Sequence, residues 1–306
     1  MNNNTRRSFI KNSALTLAGT ALLPKTFFAA GADAAIVGVQ LYSVRDDMKK
    51  APLETLKGIA KMGYKYVEHA NYVDGKFYGY TPAEFKKVLD DLHLKMPSGH
   101  TVMNSKHWDA SANDFTPQWK QTVADAALVG QEFVISPWLD DEYRKSTDDL
   151  KRFMDVFNKS GELCKTQGMK FGYHNHNFEF STQLDGKQLY DVILENTDPE
   201  LVIHQLDIGN MYGAGGRAAD VIKKFPGRFA SMHVKDEIKS TKGEMEEPYE
   251  STVIGKGVIG TKEIVALGKK IGGTKHFIIE QESYQAKTPM ASVKEDLNIM
   301  KAWGYR

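Results

Sequence analysis

Side chains that can bind a metal ion or move a proton recur at the ends of short β-rich runs along this chain. Five of the nine histidines occupy such positions, together with aspartate, glutamate and lysine residues. These strand-end residues are Glu68, His69, His100, His174, His176, Asp207, His233, Lys235, Glu280 and Glu282. A solvated surface would scatter these residue types over the chain. Their repeated placement indicates one shared site, because converging buried carboxylates need a cation or a shared proton.

Alternation and ligand chemistry narrow the choice of metal ligands. His174 and His176 are two residues apart, so they point to the same side of their strand, and Tyr173 and Asn175 point to the other side. The set predicted to bind one divalent ion is His174, Asp207, His233 and Glu280. Such a mixed nitrogen and oxygen set suits Mn²⁺, Zn²⁺, Co²⁺ or Fe²⁺ better than Ca²⁺, and it leaves the choice among these four open.

The other polar residues are predicted to bind the substrate or to transfer protons. A catalytic role is predicted for His176, Glu179, Lys235 and Glu280. Substrate binding is predicted for Glu68, His100, Lys235 and Glu282. Lys235 could hold a hydroxyl group or a developing oxyanion as a point charge, or it could form a structural ion pair with Asp236 or with a neighbouring strand end.

The elements that must position these residues alternate between strand-like and helical patterns. The predicted strands span residues 36–43, 66–69, 95–100, 133–137, 170–176, 201–208, 229–234 and 276–281. Helical patterns between them include residues 52–62, 82–92, 147–167 and 218–225. Pro52 and Pro82 stand where a first-turn proline belongs, with Thr81 as the cap before the second. Strand–helix–strand units at intervals of roughly 30 residues predict parallel pairing with right-handed crossovers.

Eight such units after residue 30 predict an α/β fold made of a single (β/α)8 TIM barrel, whose usual size is about 250 residues. The alternative is an open doubly wound sheet, but no glycine-rich phosphate loop follows the first strand. The glycine-rich segment 213–216 comes after the sixth strand and lacks that spacing. Chemistry in a barrel of this kind lies at the carboxyl ends of the strands, where the polar residues above occur.

The first thirty residues have the pattern of an export signal. Arg6 and Arg7 precede Ser-Phe-Ile-Lys, then come an apolar run at 14–23 and small residues, which is typical of a twin-arginine signal. A disordered basic tail is the alternative. Residues 1–30 contain four basic and no acidic residues, so their removal changes the net charge from +1 to −3. The predicted division is a signal at 1–30 and a barrel domain at 31–306, with a periplasmic location.

Composition excludes several classes of protein. The chain has 40 basic and 39 acidic residues, so no positive surplus indicates a nucleic-acid partner. No apolar run is long enough to span a bilayer, which argues against a stable membrane anchor. The single cysteine, Cys164, excludes a disulfide framework and a cysteine-rich zinc site. The composition is compatible with a homo-oligomer.

Five segments together resemble the xylose-isomerase-like barrel family. They are YHNHNFEF (173–180), QLDIGN (205–210), MHVKD (232–236), GKGVIG (255–260) and FIIEQES (277–283). That family contains sugar epimerases, hydroxypyruvate isomerase, inosose dehydratase and, more distantly, endonuclease IV. Its members bind a divalent metal at the ends of strands five to eight, which implies Asp207, His233 and Glu280 as three ligands here. Epimerases of the family have a glutamate at strand five. This chain has His174 there, closer to the inosose dehydratase branch, with Glu179 as the alternative.

The resemblance implies a small-molecule carbohydrate as partner and a metal-dependent sugar isomerase or epimerase that abstracts the proton next to a carbonyl of a keto-sugar or polyol. The alternative is a lyase or dehydratase, in which the same proton abstraction is followed by loss of water or an aglycone from a keto-sugar or inosose. A histidine facing a glutamate makes the site asymmetric and favours elimination. Aromatic residues near the mouth could stack on a sugar or pack in the core: Tyr42, Trp138, Tyr173 and Tyr212.

Two remote hypotheses are disfavoured. An endonuclease IV-like phosphodiesterase would need about nine ligands for three ions and a basic groove for DNA, and the sequence shows neither. A non-catalytic sugar-binding protein would not need so many proton-active groups at its strand ends.

Overall fold

Eight parallel strands close into a barrel, and each strand is paired with its neighbours in chain order. The barrel closes between the last strand and the first, where Ile36 pairs with His276. The strands are β1 (Ile36–Gln40), β2 (Tyr66–His69), β3 (Lys95–His100), β4 (Phe133–Ser136), β5 (Lys170–His174), β6 (Val202–Asp207), β7 (Ser231–Val234) and β8 (His276–Ile279). The predicted single (β/α)8 barrel is confirmed.

Helices surround the barrel and begin and end where local chemistry requires. Thr81 and Glu84 form a reciprocal capping box at the start of the helix that begins at Pro82. Gly63 ends the helix Pro52–Met62 with a φ of 98°. The helices are α1 (Arg45–Lys50), α2 (Pro52–Met62), α3 (Pro82–Asp91), α4 (Pro117–Leu128), α5 (Thr147–Lys165), α6 (Phe178–Ser181), α7 (Leu189–Glu195), α8 (Asn210–Gly213), α9 (Ala218–Lys224), α10 (Thr261–Leu267) and α11 (Pro289–Ala302).

The loops that follow the strands contain antiparallel hairpins that the sequence analysis did not predict. Three are short: Tyr72–Val73 with Lys76–Phe77, Trp108–Asp109 with Asp114–Phe115, and Gln183–Leu184 with Lys187–Gln188. The fourth follows β7 and pairs Asp236–Glu244 with Glu247–Thr252. All four lie in loops from a strand to its following helix, which are the loops that build the functional face of such barrels.

The computed structural model describes residues 35–244 and 247–306. The predicted export signal at 1–30, with the domain boundary after it, lies outside these residues. The described part from Ala35 onward forms one compact unit. In that part, no helix has the length and apolar character needed to cross a membrane.

Candidate metal centre

The floor of the barrel interior is apolar. Ile135, Ile203 and Ile278 point inward from β4, β6 and β8 and are buried. Gly172 and Gly38 make room for them, because an added Cβ would lie 2.9 Å from Ile135 Cγ1 and from Ile278 Cδ1, respectively. This floor keeps water away from the groups above it, which strengthens electrostatic interactions there.

A hydrogen-bonded polar layer lies above the floor, centred on Glu68 and Gln205. Gln205 Nε2 donates to Glu68 Oε2 at 2.8 Å and to Ser231 Oγ at 3.0 Å. Gln205 Oε1 lies 3.0 Å from His174 Nδ1, and Glu68 Oε1 lies 2.6 Å from His233 Nε2. Glu68 is fully buried under the two imidazoles. Its position does not support the predicted contact with substrate.

The predicted metal ligands converge above this layer. Asp207 Oδ2 lies 3.7 Å from His233 Nδ1 and 3.9 Å from His174 Nε2. His233 Nδ1 lies 3.1 Å from Glu280 Oε2. The backbone amides of Gly209 and Asn210 donate to Asp207 Oδ1 at 2.8 Å, which fixes the carboxylate. The structure therefore brings all four predicted ligands together.

The donor set fits a divalent cation. Asp207 Oδ2 is buried and has no hydrogen-bond partner among the described residues, and an unsatisfied buried carboxylate oxygen is costly. Asp207, His233 and Glu280 offer ligand atoms that all lie within 4.8 Å of one another. His174 Nε2 faces the same oxygen from β5. Mixed imidazole and carboxylate donors suit zinc and neighbouring transition metals.

The electrostatics of the described side chains also favour a cation. Four carboxylates, those of Glu68, Asp207, Glu280 and Glu282, share this interior with the ammonium group of Lys235. Burial lowers the pKa of His233, but Glu280 and Glu68 reverse this and raise it well above its ordinary value. The same negative field would attract a metal ion at His233 Nδ1.

Lys235 is fully buried beside the candidate ligands, in contact with Asn210 and Glu282. Its Nζ donates to Asn210 Oδ1 at 2.8 Å and to Glu282 Oε1, and lies 3.8 Å from Glu280 Oε2. Its aliphatic stem crosses Gly209, where an added Cβ would lie 2.6 to 2.9 Å from three stem carbons. Glycine at 209 therefore lets the ammonium group reach the site.

An aromatic wall stands beside His176 at the mouth. Trp138 is 37% exposed, and its ring centroid lies 5.4 Å from that of His176 and 5.2 Å from that of Phe178. The guanidinium of Arg144 lies over the Phe178 ring at 3.8 Å. His176 is partly exposed, and its Nδ1 has no hydrogen-bond partner in the described part of the chain. The exposed indole is a surface on which an apolar sugar face could rest.

Glu179 lies outside this group of residues. Its carboxylate accepts hydrogen bonds from the Tyr173 hydroxyl and, at 2.9 Å, from the His176 backbone N–H. Burial raises the pKa of Glu179 to about 7, against hydrogen bonds that lower it. Tyr173 is fully buried and packs in the core, so it cannot stack on a ligand. This placement supports a role for Glu179 in holding the strand-five loop, and gives no support to the predicted catalytic role.

His100 connects the polar layer to a cleft at the mouth. Its Nε2 lies 2.7 Å from Gln205 Oε1 and 3.3 Å from Glu68 Oε1. The adjoining cleft has a volume of about 450 Å³ and is lined also by Asn71, Thr101 and His107. A larger cleft of about 780 Å³ runs along α5, and none of the predicted site residues lines it.

Sequence reasoning missed the amide and hydroxyl groups of the polar layer. Gln205 is two residues before Asp207 on β6, so strand alternation could have identified it as an inward-facing residue. Asn210 gave no such signal, because its contact with Lys235 depends on how α8 follows β6.

The comparisons with known proteins agree with this architecture. A family model described as "Xylose isomerase-like TIM barrel" matches residues 56–303. A solved sugar phosphate isomerase/epimerase from Parabacteroides distasonis is similar with a TM-score of 0.75 and 25% identity, over 92% of this chain and 98% of that chain. The protein IOLI, solved with a bound zinc atom, shares the fold at a TM-score of 0.66 and 14% identity, over 88% of this chain and 99% of that one.

Curated relatives include inosose dehydratases. That of Clostridium perfringens is 32% identical over 101 residues, which are 33% of this chain and 33% of that enzyme. That of Lacticaseibacillus casei is 24% identical over 246 residues, which are 74% of this chain and 80% of that enzyme. The more similar of these alignments thus span about a third of the relatives' length. Since the family model covers most of the barrel, including β5 to β8 with their polar ends, the chain belongs to the xylose isomerase-like TIM barrel family.

Proposed function

We propose that this protein is a metal-dependent enzyme that removes the proton next to a carbonyl of a keto-sugar or polyol, as sugar isomerases and epimerases do. The observation that carries the proposal is that Asp207, His233 and Glu280 offer ligand atoms within 4.8 Å of one another, while His174 Nε2 lies 3.9 Å from the unpartnered Asp207 oxygen. The sugar isomerase, epimerase and inosose dehydratase relatives support it at the level of reaction class.

In this proposal those four residues would hold a divalent ion, which would supply Lewis-acid polarisation of a carbonyl or hydroxyl oxygen of the substrate. His176 takes the proton from the adjacent carbon with its unpartnered Nδ1, which the Glu179 contact to its backbone helps to hold in place. The ammonium group of Lys235 donates a hydrogen bond to a substrate oxygen, and Glu282 holds Lys235 in position. Trp138 and His100 line the sides of the bound sugar.

The fate of the abstracted proton separates two reactions. In isomerisation or epimerisation, a carboxylate such as Glu280 returns a proton to carbon. In elimination, Lys235 instead protonates a departing oxygen, and water or an aglycone leaves. His174 and Lys235 make the two sides of the centre unlike, and this asymmetry favours elimination as the second candidate function. The inosose dehydratase relatives agree with it.

Deuterated water distinguishes these outcomes. Keto-glycosides, inososes and free ketoses are incubated with the metal-loaded protein and followed by NMR. Deuterium at the carbon beside the carbonyl, with no product lost, indicates an isomerase or epimerase. Release of water or aglycone indicates a lyase. If no substrate class exchanges or reacts while metal remains bound, the proposal is wrong.

Variants assign the proton transfers. We expect His176→Asn to abolish exchange, and Lys235→Met to retain exchange while slowing release of the leaving group by about 100-fold or more. The triple alanine variant of Asp207, His233 and Glu280 should lose bound metal in elemental analysis. His276→Asn is the matched control, since His276 lies at the opposite end of β8 and should leave metal and activity unchanged. Equal metal content in the triple variant and the wild type would contradict the assignment.

We also propose that residues 1–30 direct export of this enzyme to the periplasm, where oxidised glycosides would be natural substrates. The support is the paired Arg6 and Arg7 ahead of an apolar run. Cell fractionation of the wild type and of an Arg6→Lys, Arg7→Lys variant tests this. Equal periplasmic amounts would refute twin-arginine export.

A further inference from the structure

The hydrogen bonds around Glu68 restrict where protons can be on the neighbouring imidazoles. The Gln40 amide is oriented by the Tyr42 backbone N–H, which donates to Gln40 Oε1, so Gln40 Nε2 donates to Glu68 Oε1 at 2.9 Å. Ser98 Oγ donates to Glu68 Oε2. An ionised carboxylate only accepts hydrogen bonds, so His233 must donate through its Nε2–H at 2.6 Å. His233 Nδ1, 3.1 Å from Glu280 Oε2, is then the ring nitrogen left to face a metal ion, which would displace any proton held there.

Gln205 restricts the position of the ring proton on His174 of β5 in the same way. Its Nε2 faces Glu68 Oε2, and the reverse orientation would place two acceptor oxygens together. Gln205 Oε1 must therefore face the imidazoles, and it accepts from His174 Nδ1 at 3.0 Å and from His100 Nε2 at 2.7 Å. The two lone pairs of this oxygen are then both used. The His174 proton is on Nδ1, which leaves the Nε2 lone pair facing Asp207.

We infer that Glu68 and Gln205 are positioning residues that hold one proton on the inner nitrogen of each histidine ligand, so that His233 Nδ1 and His174 Nε2 are the nitrogens left to bind a metal beside Asp207. One buried carboxylate thereby prepares two ligands on two strands. The arrangement extends the usual pairing of a metal-bound histidine with a single carboxylate, because an amide relays the preference to the second histidine.

The inferred proton positions on the histidines also limit how many metal ions the site can hold. His100, His174 and His233 also lie close enough together to share a metal. In the tautomers inferred here, however, His100 Nε2 and His174 Nδ1 are donors to Gln205, and His233 Nε2 is a donor to Glu68. The inference therefore predicts one ion per chain.

Glu68→Gln is an isosteric test with the same expected result in either amide orientation. If the new NH₂ faces His233, the His233 Nε2 becomes an acceptor and the ring proton is held at Nδ1, beside Glu280 and Asp207, where it opposes a metal ion. If it faces Gln205, the Gln205 amide must reverse, and the proton of His174 moves to Nε2. One histidine ligand is lost in both cases. We expect the affinity for Zn²⁺ and Co²⁺, measured by competition with a chromophoric chelator, to fall by about 10- to 100-fold.

A double exchange separates proton placement from packing. In Glu68→Gln, Gln205→Glu, the amide at 68 can donate to the carboxylate at 205, which accepts from His174 and His100, and the amide oxygen at 68 accepts from His233. We expect this double variant to recover metal affinity to within about tenfold of the wild type. Ser98→Ala is the matched control. It removes a hydrogen bond to the same carboxylate without moving a ring proton, so its affinity should change less than threefold.

Nitrogen-15 NMR of the metal-free wild type reads the tautomers directly and depends neither on activity nor on the variants folding. We expect His174 to be protonated on Nδ1 and not on Nε2, and His233 to be protonated on Nε2, whether or not its Nδ1 also holds a proton beside Glu280. The opposite tautomer in either ring would overturn the inference. An unchanged metal affinity in folded Glu68→Gln, or a double variant as weak as the single one, would also overturn it. These readouts use metal and NMR signals only, so the inference can fail while the proposed reaction stands, and the reverse.

Discussion

Asp296 on α11 provides a test of buried electrostatics away from the metal centre. Its side chain is fully buried, and Oδ1 accepts a hydrogen bond from the Ile254 backbone N–H at 2.9 Å. Oδ2 has no hydrogen-bond partner among the described residues. Burial raises the pKa of Asp296 from 3.8 to about 7, with the Glu295 and Asp236 carboxylates adding to the effect and Lys287 opposing it.

The sign of the effect follows from proton linkage. Between the unfolded pKa of 3.8 and the folded pKa of about 7, the folded chain holds a proton that the unfolded chain has lost. The contribution of Asp296 to stability is therefore fully present below pH 4, falls as the pH rises, and is lost above pH 7. A difference of this size in pKa corresponds to about 4 kcal/mol over the whole range, of which about 3 kcal/mol falls between pH 5 and pH 8.

Asp296→Asn removes the charge and keeps an acceptor for the Ile254 N–H. We expect the free energy of unfolding of the variant to exceed that of the wild type at pH 8, and the advantage to be about 3 kcal/mol smaller at pH 5. Urea unfolding at both pH values measures it. Asp90→Asn is the control, because Asp90 is exposed and its surface ion pair with Lys86 contributes little to stability, so the variant should differ from the wild type by the same small amount at both pH values. An Asp296→Asn advantage that is equal at pH 5 and pH 8 would refute the reasoning.

Two further predictions concern the mouth of the barrel. Gly209→Ala should displace the Lys235 stem by several tenths of an ångström. Because small misplacements of a catalytic group are costly, we expect kcat to fall by about 10- to 100-fold while the metal content stays unchanged. Gly58→Ala makes a similar overlap, with the mobile end of Met290, and an equal loss there would show that general strain causes the effect. Trp138→Ala should raise KM about fivefold and leave kcat unchanged, because it removes about 1 kcal/mol of apolar contact with the sugar. Steady-state kinetics measure both constants, and a loss in kcat alone would contradict the stacking role.

The sequence by itself determined the barrel and the positions of its polar strand ends. The sequence predicts eight strand–helix units, and the rules for connecting parallel strands allow few ways to join them. A single closed parallel barrel satisfies these rules, and the structure has this topology. Alternation with a period of two then predicted that His174 and Tyr173 point to opposite sides of β5, and in the structure His174 faces the polar layer while Tyr173 packs in the core. Convergence of Asp207, His233 and Glu280 followed, because the carboxyl ends of parallel strands meet at one face.

Only the tertiary structure decided which atoms face each other and how deep each group lies. Glu68 and Asp207 both point into the barrel near the carboxyl ends of their strands. The Glu68 carboxylate accepts hydrogen bonds from Gln40, Ser98 and Gln205, whereas Asp207 keeps an oxygen with no hydrogen-bond partner among the described residues. Strand periodicity is the same for both residues. The difference arises from the register of the barrel, which places Gln40 and Ser98 beside Glu68 and places His233 beside Asp207. Glu179 shows the same limit, because the direction of a loop side chain depends on contacts made across the fold, and no local pattern encodes them.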